Sequence, residues 1–193
     1  MPGPDDVLPF WFGPPGEPPA IQDAWFRKDP AFDERIRARF GALVEAALAG
    51  PLPAAEGWRR SPRATLAEIL VLDQFPRNLF RGSARSFAGD ARALTLALGL
   101  FDSGQAAALG LLERWFAAMP LEHAEDLAMQ ERCVALFESF AAEDAALQGA
   151  LDYARRHRDV VCRFGRFPHR NEWLGRPSTA EEIAFLREPG SRF

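Results

Sequence analysis

Apolar residues recur along this chain at spacings of three and four, and no stretch alternates with period two over a useful length, so the pattern predicts helices and no sheet. Asp5-Asp6 can cap a short helix carrying Val7, Leu8, Phe10, Trp11 and Phe12, which Gly13-Pro14-Pro15 ends. Residues 13–19 hold four prolines and two glycines and read as a connector. Asp29-Pro30 opens a second helix with the stripe Phe32, Ile36, Phe40, Leu43 and Ala47. Ser61-Pro62 opens a third, whose stripe Leu66, Ile69, Leu70 continues into Asp73, and Pro76 is expected to break it and leave Arg77-Asn78 in a turn.

Phe87, Ala91, Leu94, Leu98 and Phe101 mark the next helix, and residues 105–118 another. Pro120 is expected to begin a helix reaching Phe140, with Met129, Cys133, Leu136 and Phe140 on one face and Leu127, Val134 and Phe137 on the other. Apolar on most sides late and charged early, that helix is expected at the centre, its start opening on a polar cavity. Glu143-Asp144 precede a long helix whose stripe Leu147, Ala150, Leu151, Ala154, His157, Val161, Phe164 puts His157 among core positions. Ser178-Thr179-Ala180-Glu181-Glu182 has capping-box form and predicts a last helix over 181–187. The expectation is an all-α chain of eight or nine helices, one domain over 1–193.

Charge and composition narrow the partners. With 48% hydrophobic and 26% charged residues the balance is that of a globular protein, and a net charge of −4 argues against nucleic acid and anionic membrane. No apolar run reaches the length of a bilayer span, and the N-terminus lacks the basic and apolar parts of a signal peptide, so a soluble cytoplasmic protein is expected. Cys133 and Cys162 both fall in apolar helical patterns and are expected as free core thiols. The pairs Trp11-Phe12, Trp25-Phe26 and Trp115-Phe116 are expected to anchor a core. Charge is segregated, however: residues 155–170 carry six arginines and two histidines against Asp159, and residues 122–144 carry seven acids against Arg132. Lys28 is the only lysine, and arginine's planar fork suits pocket-lining charge.

Three stretches concentrate the chemistry. Residues 163–175 pack Arg163, Arg166, His169, Arg170 and Asn171 among aromatics. Their core Phe167-Pro168-His169-Arg170-Asn171 is echoed by Phe75-Pro76-Arg77-Asn78, and between them lies Glu122-His123-Ala124-Glu125-Asp126. Asp73 on a core-facing stripe requires an arginine or backbone donors. If the segments meet, Asp73, Arg77, Asn78, Glu122, His123, Asp126, His157, Arg163, Arg166, His169, Arg170 and Asn171 form a charged pocket for a small anionic ligand, a phosphate or carboxylate. The arginines would grip it, and His123 or His169 would serve as acid or base. Two alternatives stand beside this: an ion-pair network tying helix ends together, and a helical scaffold presenting a groove to a partner protein or acidic peptide. Glu122, His123, Asp126 and His157 or His169 lack the spacing of a strong metal motif, and no Gly-x-Ser-x-Gly or phosphate-loop glycine run is present. No metal and no cofactor are expected. Oligomeric state is not encoded in any of these patterns.

Three blocks resemble the signatures of a mainly bacterial group, the domain-of-unknown-function 924 family: residues 72–82 (Leu72-Asp73-Gln74-Phe75-Pro76-Arg77-Asn78), 120–127 (Pro120-Leu121-Glu122-His123) and 163–171. The opening Phe10-Trp11-Phe12-Gly13, the Trp25-Phe26 pair and the closing Ser191-Arg192-Phe193 are similar to it too, so the likeness spans essentially the whole chain. The resemblance implies a single all-α domain similar to tetratricopeptide-repeat superhelices and brings no catalytic residues with it.

Overall fold

The computed structural model describes residues 1–14, 16–17 and 19–191; Pro15 and Pro18 of the connector and the closing Arg192-Phe193 lie outside the described residues. Among the described residues the chain forms eight α-helices and no strand: α1 (Pro4–Phe12), α2 (Pro30–Ala49), α3 (Pro62–Leu79), α4 (Asp90–Asp102), α5 (Leu111–Glu122), α6 (Leu127–Glu143), α7 (Gln148–Phe164) and α8 (Ala180–Phe185). They belong to two compact units, residues 1–81 with 85–120 and residues 82–84 with 121–193.

In the first unit α1, α2 and α4 pack on α3. Every residue of α3 from 64 to 79 is buried except Arg77. The Leu66–Ile69–Leu70 stripe is thus only part of its buried surface, because Ala67, Val71, Leu72 and Phe75 are apolar on the other faces. α3, rather than the helix after Pro120, is the one covered on all sides. The aromatic pairs do anchor a core: Trp11 stacks on Trp25 at 6.0 Å, Trp25 meets Phe116 edge-on at 4.7 Å, and the Trp25 indole N–H donates to Trp11 O.

The second unit is built on α6 packed against α7. Asp126 starts α6 by accepting from Met129 N, and Asp144 accepts from Ala146 N in the 3₁₀ turn that leads into α7. α7 ends at Gly165, whose φ of 68° is the left-handed C-cap conformation that glycine adopts without strain. Residues 166–179 then run irregularly to α8, which Thr179 and Glu182 open as a capping box.

Four expectations need correction. Pro76 does not end α3, which runs on to Leu79. A proline removes one N–H and crowds the carbonyl four residues before it; here that carbonyl, Leu72 O, faces the backbone of Gly89, the N-cap of α4, and the next one, Asp73 O, accepts from Arg77 Nη1. Pro120 does not begin a helix but lies in the last turn of α5. Residues 123–126 are a turn, whose carbonyls at Glu122 and Ala124 accept from the side chain of Gln130 at 2.7 Å each. Residues 105–118 are split between a 3₁₀ turn (Gln105–Ala108) and α5, because Glu113 turns back to accept from Gly110 N. Cys162 is exposed, since α7 buries positions 151, 154, 157, 160 and 161 and leaves 162 on the far side; Cys133 is buried.

A side chain at position 89 has no room: a Cβ there would lie 2.1 Å from Leu72 O, a backbone atom that cannot swing away. Gly89→Ala is expected to lower the unfolding free energy by about 2 kcal/mol or more, read by urea denaturation. Gly99→Ala in the same helix, where a Cβ meets nothing within 4 Å, is the control and is expected to be neutral or slightly stabilising.

Candidate functional site

The predicted site residues fall in both units, and each set is described by itself. In the first, Asp73 is fully buried and has its required arginine: Arg77 Nη1 lies 3.2 Å from Asp73 Oδ1 while the same guanidinium forks onto Asp90 at 2.8 and 3.0 Å. Gln74 Nε2 donates to the other Asp73 oxygen at 2.6 Å. Asn78 and Arg81 both donate to Asp33 of α2, and although burial pushes the Asp33 pKa up, these donors together hold it below the usual range. This set ties α3 to α2 and α4.

The second unit gathers more. Glu122 ends α5 and is buried; His123 follows it, half-buried; His157 sits on the inner face of α7; His169 and Arg170 come from the 3₁₀ turn after α7. The centre of the cluster is the edge contact of the His157 and Phe167 rings at 5.4 Å. Around it lie the His123 ring, 6.5 Å from His157, the His169 ring, 5.7 Å from Phe167, and the Arg170 guanidinium, 4.6 Å over the Phe167 face. All three histidines of the chain are here, and its only tyrosine, Tyr153, is 5.0 Å from His157.

His157 Nδ1 lies 3.0 Å from Tyr153 O and 3.4 Å from Glu122 Oε1. The second contact would be an ion pair only with a protonated ring. Burial, with lesser contributions from the neighbouring His123, Arg170 and His169, brings the His157 pKa down to about 3, against the opposing pull of the Tyr153 carbonyl. At neutral pH the ring is therefore a neutral imidazole whose Nδ1–H donates to Tyr153 O, which assigns the lone pair to Nε2. Glu122 also bears on its other neighbours: the Cys133 thiol is pushed well up, by burial first and by this carboxylate second.

Other predicted residues are engaged elsewhere in the unit. Asp126 caps α6, and Arg163 pairs with Glu181 in the open. Arg166 forks onto Glu182 at 2.6 and 2.8 Å. That fork, opposed by burial and helped by Thr179 N–H and Asn171, holds the Glu182 carboxyl at about 2. Glu122, His123 and Asp126 share no helix, since residues 123–126 are a turn between α5 and α6.

Two residues outside the predicted set close the loop that bears His169 and Arg170. Glu125 accepts from Arg176 Nη1 and Nη2 at 2.6 and 2.9 Å and from Phe167 N at 2.8 Å. Arg176 Nε donates to Asn171 Oδ1, and Asn171 Nδ2 donates to Ser178 Oγ. Burial raises the Glu125 pKa, but the Arg176 fork, the Phe167 N–H and the charges of Arg176 and Arg170 outweigh it and leave the carboxyl below its ordinary value. Their partnership carried one sequence signal, an acid in the 120–126 block and an arginine just past the 163–175 block; nothing in the spacing pairs them. Among the described residues no group of three His, Cys, Asp or Glu side chains is placed to hold a metal ion, and no helix is long and apolar enough to cross a membrane. The cluster brings three imidazoles, a guanidinium and a buried carboxylate together within this unit.

A ring whose pKa is about 3 folded and about 6.5 unfolded binds fewer protons when folded. It favours the fold fully above pH 6.5, and this contribution is lost as pH falls toward 3. Between pH 7 and pH 5 the wild-type protein is expected to lose about 2 kcal/mol more unfolding free energy than His157→Gln, measured by urea denaturation at each pH. An identical loss in both proteins contradicts a neutral buried ring.

No curated protein matches the chain. A solved structure of a protein of unknown function from Agrobacterium tumefaciens is similar to it, with a TM-score of 0.82 and 38% identity over 95% of this chain and 96% of that one. The family described as bacterial protein of unknown function (DUF924) matches residues 7–190. With blocks 72–82, 120–127 and 163–171 all inside that span, the chain belongs to the DUF924 family.

Proposed function

We propose that the second unit binds a small anionic molecule, a carboxylate or phosphate, at the cluster around Phe167, within a cytoplasmic protein. Arg170 is the anion-binding cation, and His123 and His169 are the donors and proton-transfer groups beside it. One observation carries this reading: every imidazole in the chain, its one phenol and a buried arginine meet at a single edge contact of His157 with Phe167. Tying helix ends together does not require that concentration, and the forks at Glu125 and Glu182 already do that work in this unit.

A second reading, a surface for a partner protein, has the exposed Trp173 and Leu174 in its favour, 40% and 38% accessible next to the same cluster in sequence. A thermal-shift screen against inorganic phosphate, phosphorylated metabolites, carboxylates and divalent cations separates the two. The anion site predicts a rise of about 2–4 °C in Tm at saturating phosphate or carboxylate. Arg170→Ala is expected to abolish that rise while the unliganded protein still melts cooperatively. No response to any anion, or a variant that no longer folds, overturns the anion reading in favour of a structural cluster.

A further inference from the structure

The candidate site has two halves with different attachments. Glu122, His123 and His157 belong to the end of α5, the turn after it and α7. His169 and Arg170 sit on residues 167–176, a compact loop with its own internal hydrogen bonds: Arg170 N to Phe167 O at 3.1 Å, Leu174 N to Arg170 O at 2.9 Å and Arg176 N to Asn171 O at 2.9 Å. Both ends of that loop arrive at one carboxylate. Glu125 accepts from Phe167 N at the entry and takes the two-pronged Arg176 fork at the exit, and Arg176 Nη2 also donates to Phe167 O at 3.2 Å. Glu125 lies two residues beyond His123, so the turn that supplies the fixed half of the site also supplies the tie for the other half.

What holds the loop at its two ends is not alike. At the entry, Phe167 is fully buried with Val160 and Val161, and Arg166 is forked onto Glu182. At the exit, Arg176 has the Glu125 fork and Asn171, while the tip residues Trp173 and Leu174 are exposed and Gly175 takes a φ of 64°. Trp173 rests its ring edge against Gly82, 3.5 Å from where a Cβ would stand. The entry thus has apolar packing backed by the Arg166 fork, and the exit has the Glu125 fork backed by single hydrogen bonds, Arg166 Nη2 to Pro177 O at 2.9 Å and Asn171 Nδ2 to Ser178 Oγ.

We infer that Glu125 and Arg176 are positioning residues that latch loop 167–176 shut, so that His169 and Arg170 face His157 only while the fork is closed. This rests on the reading of the cluster as a ligand site, and it names what assembles it. Neither residue is required to touch the ligand. Opening the fork loosens the exit stem, which then keeps only the Arg166–Pro177 and Asn171–Ser178 hydrogen bonds, and lets the guanidinium of Arg170 move off the Phe167 face. A fork needs two parallel N–H donors, so lysine at 176 keeps the charge and loses the latch.

The test is hydrogen exchange of the full-length protein together with inorganic phosphate binding, on wild type, Glu125→Gln, the milder Arg176→Lys and the control Arg163→Ala, which removes the exposed Arg163–Glu181 pair and the guanidinium over Phe164 and Phe185 but no bond of the loop's fork. Glu125→Gln and Arg176→Lys are expected to speed exchange at the Arg170, Leu174 and Arg176 amides about tenfold or more, with α6 and α7 amides unchanged and the control like wild type. Phosphate affinity is expected to fall about tenfold in the same two variants. Unchanged loop exchange in both variants, or faster exchange spread equally through α6 and α7, overturns the latch. So does an opened loop that still binds phosphate as wild type does. If wild type gains no stability from phosphate but the loop amides respond as stated, the latch stands and the anion reading falls.

Discussion

A carboxylate withdrawn from water costs several kcal/mol unless donors replace its hydration, and each unit of this protein is tied together by meeting that demand. In the first unit Glu68, wholly buried, accepts from the single Arg59 Nη1 at both its oxygens, 2.9 Å each, and still keeps a raised pKa, because burial outweighs its two arginines, Arg59 and Arg92. Asp73 and Asp33 are met by Arg77 and by Asn78 with Arg81. In the second unit Glu125 and Glu182 each collect an arginine fork together with a backbone N–H. The abundance of arginine over lysine follows from the same demand. A planar fork satisfies both oxygens of a carboxylate with one side chain, where an ammonium leaves one oxygen wanting.

Helix positions were legible from the sequence wherever a stripe and a cap agreed. The stripe Phe32–Ile36–Phe40–Leu43–Ala47 with Asp29-Pro30 gave α2, and Thr179 with Glu182 gave α8, because spacing and capping are local properties. Prolines were legible only as a hazard. Whether Pro76 ends a helix depends on whether a distant backbone can lie against the carbonyl it strands, and Gly89 is thirteen residues away. Pro120 looked like a first-turn proline, but the true start of α6 is decided by Asp126 and by the Gln130 amide that covers the carbonyls of the turn before it. Cys162 shares the apolar neighbourhood of Val160 and Val161 in sequence, yet the helical rotation of one residue turns it outward.

The site was legible as a composition and not as a geometry. Histidine is scarce in this chain, and all of it fell in stretches singled out by their charge; Glu122, His123, His157, His169 and Arg170 do gather in one unit. The residues that fasten them, Glu125 and Arg176, are 51 positions apart and on opposite sides of two helices in the chain order. No periodicity records a pairing of that separation. Arg166 and Asn171, by contrast, stood out in sequence for their company and turned out to be spent on Glu182.

The contact between Leu72 and Gly89 has a consequence for how this chain can drift. Pro76 leaves a carbonyl uncovered on α3, and only a residue without a side chain lets the start of α4 come up against it. Restoring an amide at 76 would let α3 close its own ladder, and the space at 89 would then serve no purpose. Filling position 89 would force the two helices apart and leave that oxygen facing nothing. Change is therefore ordered: an amide at 76 can come first, and a side chain at 89 is tolerable only once that amide covers the carbonyl and the two helices no longer need to touch there.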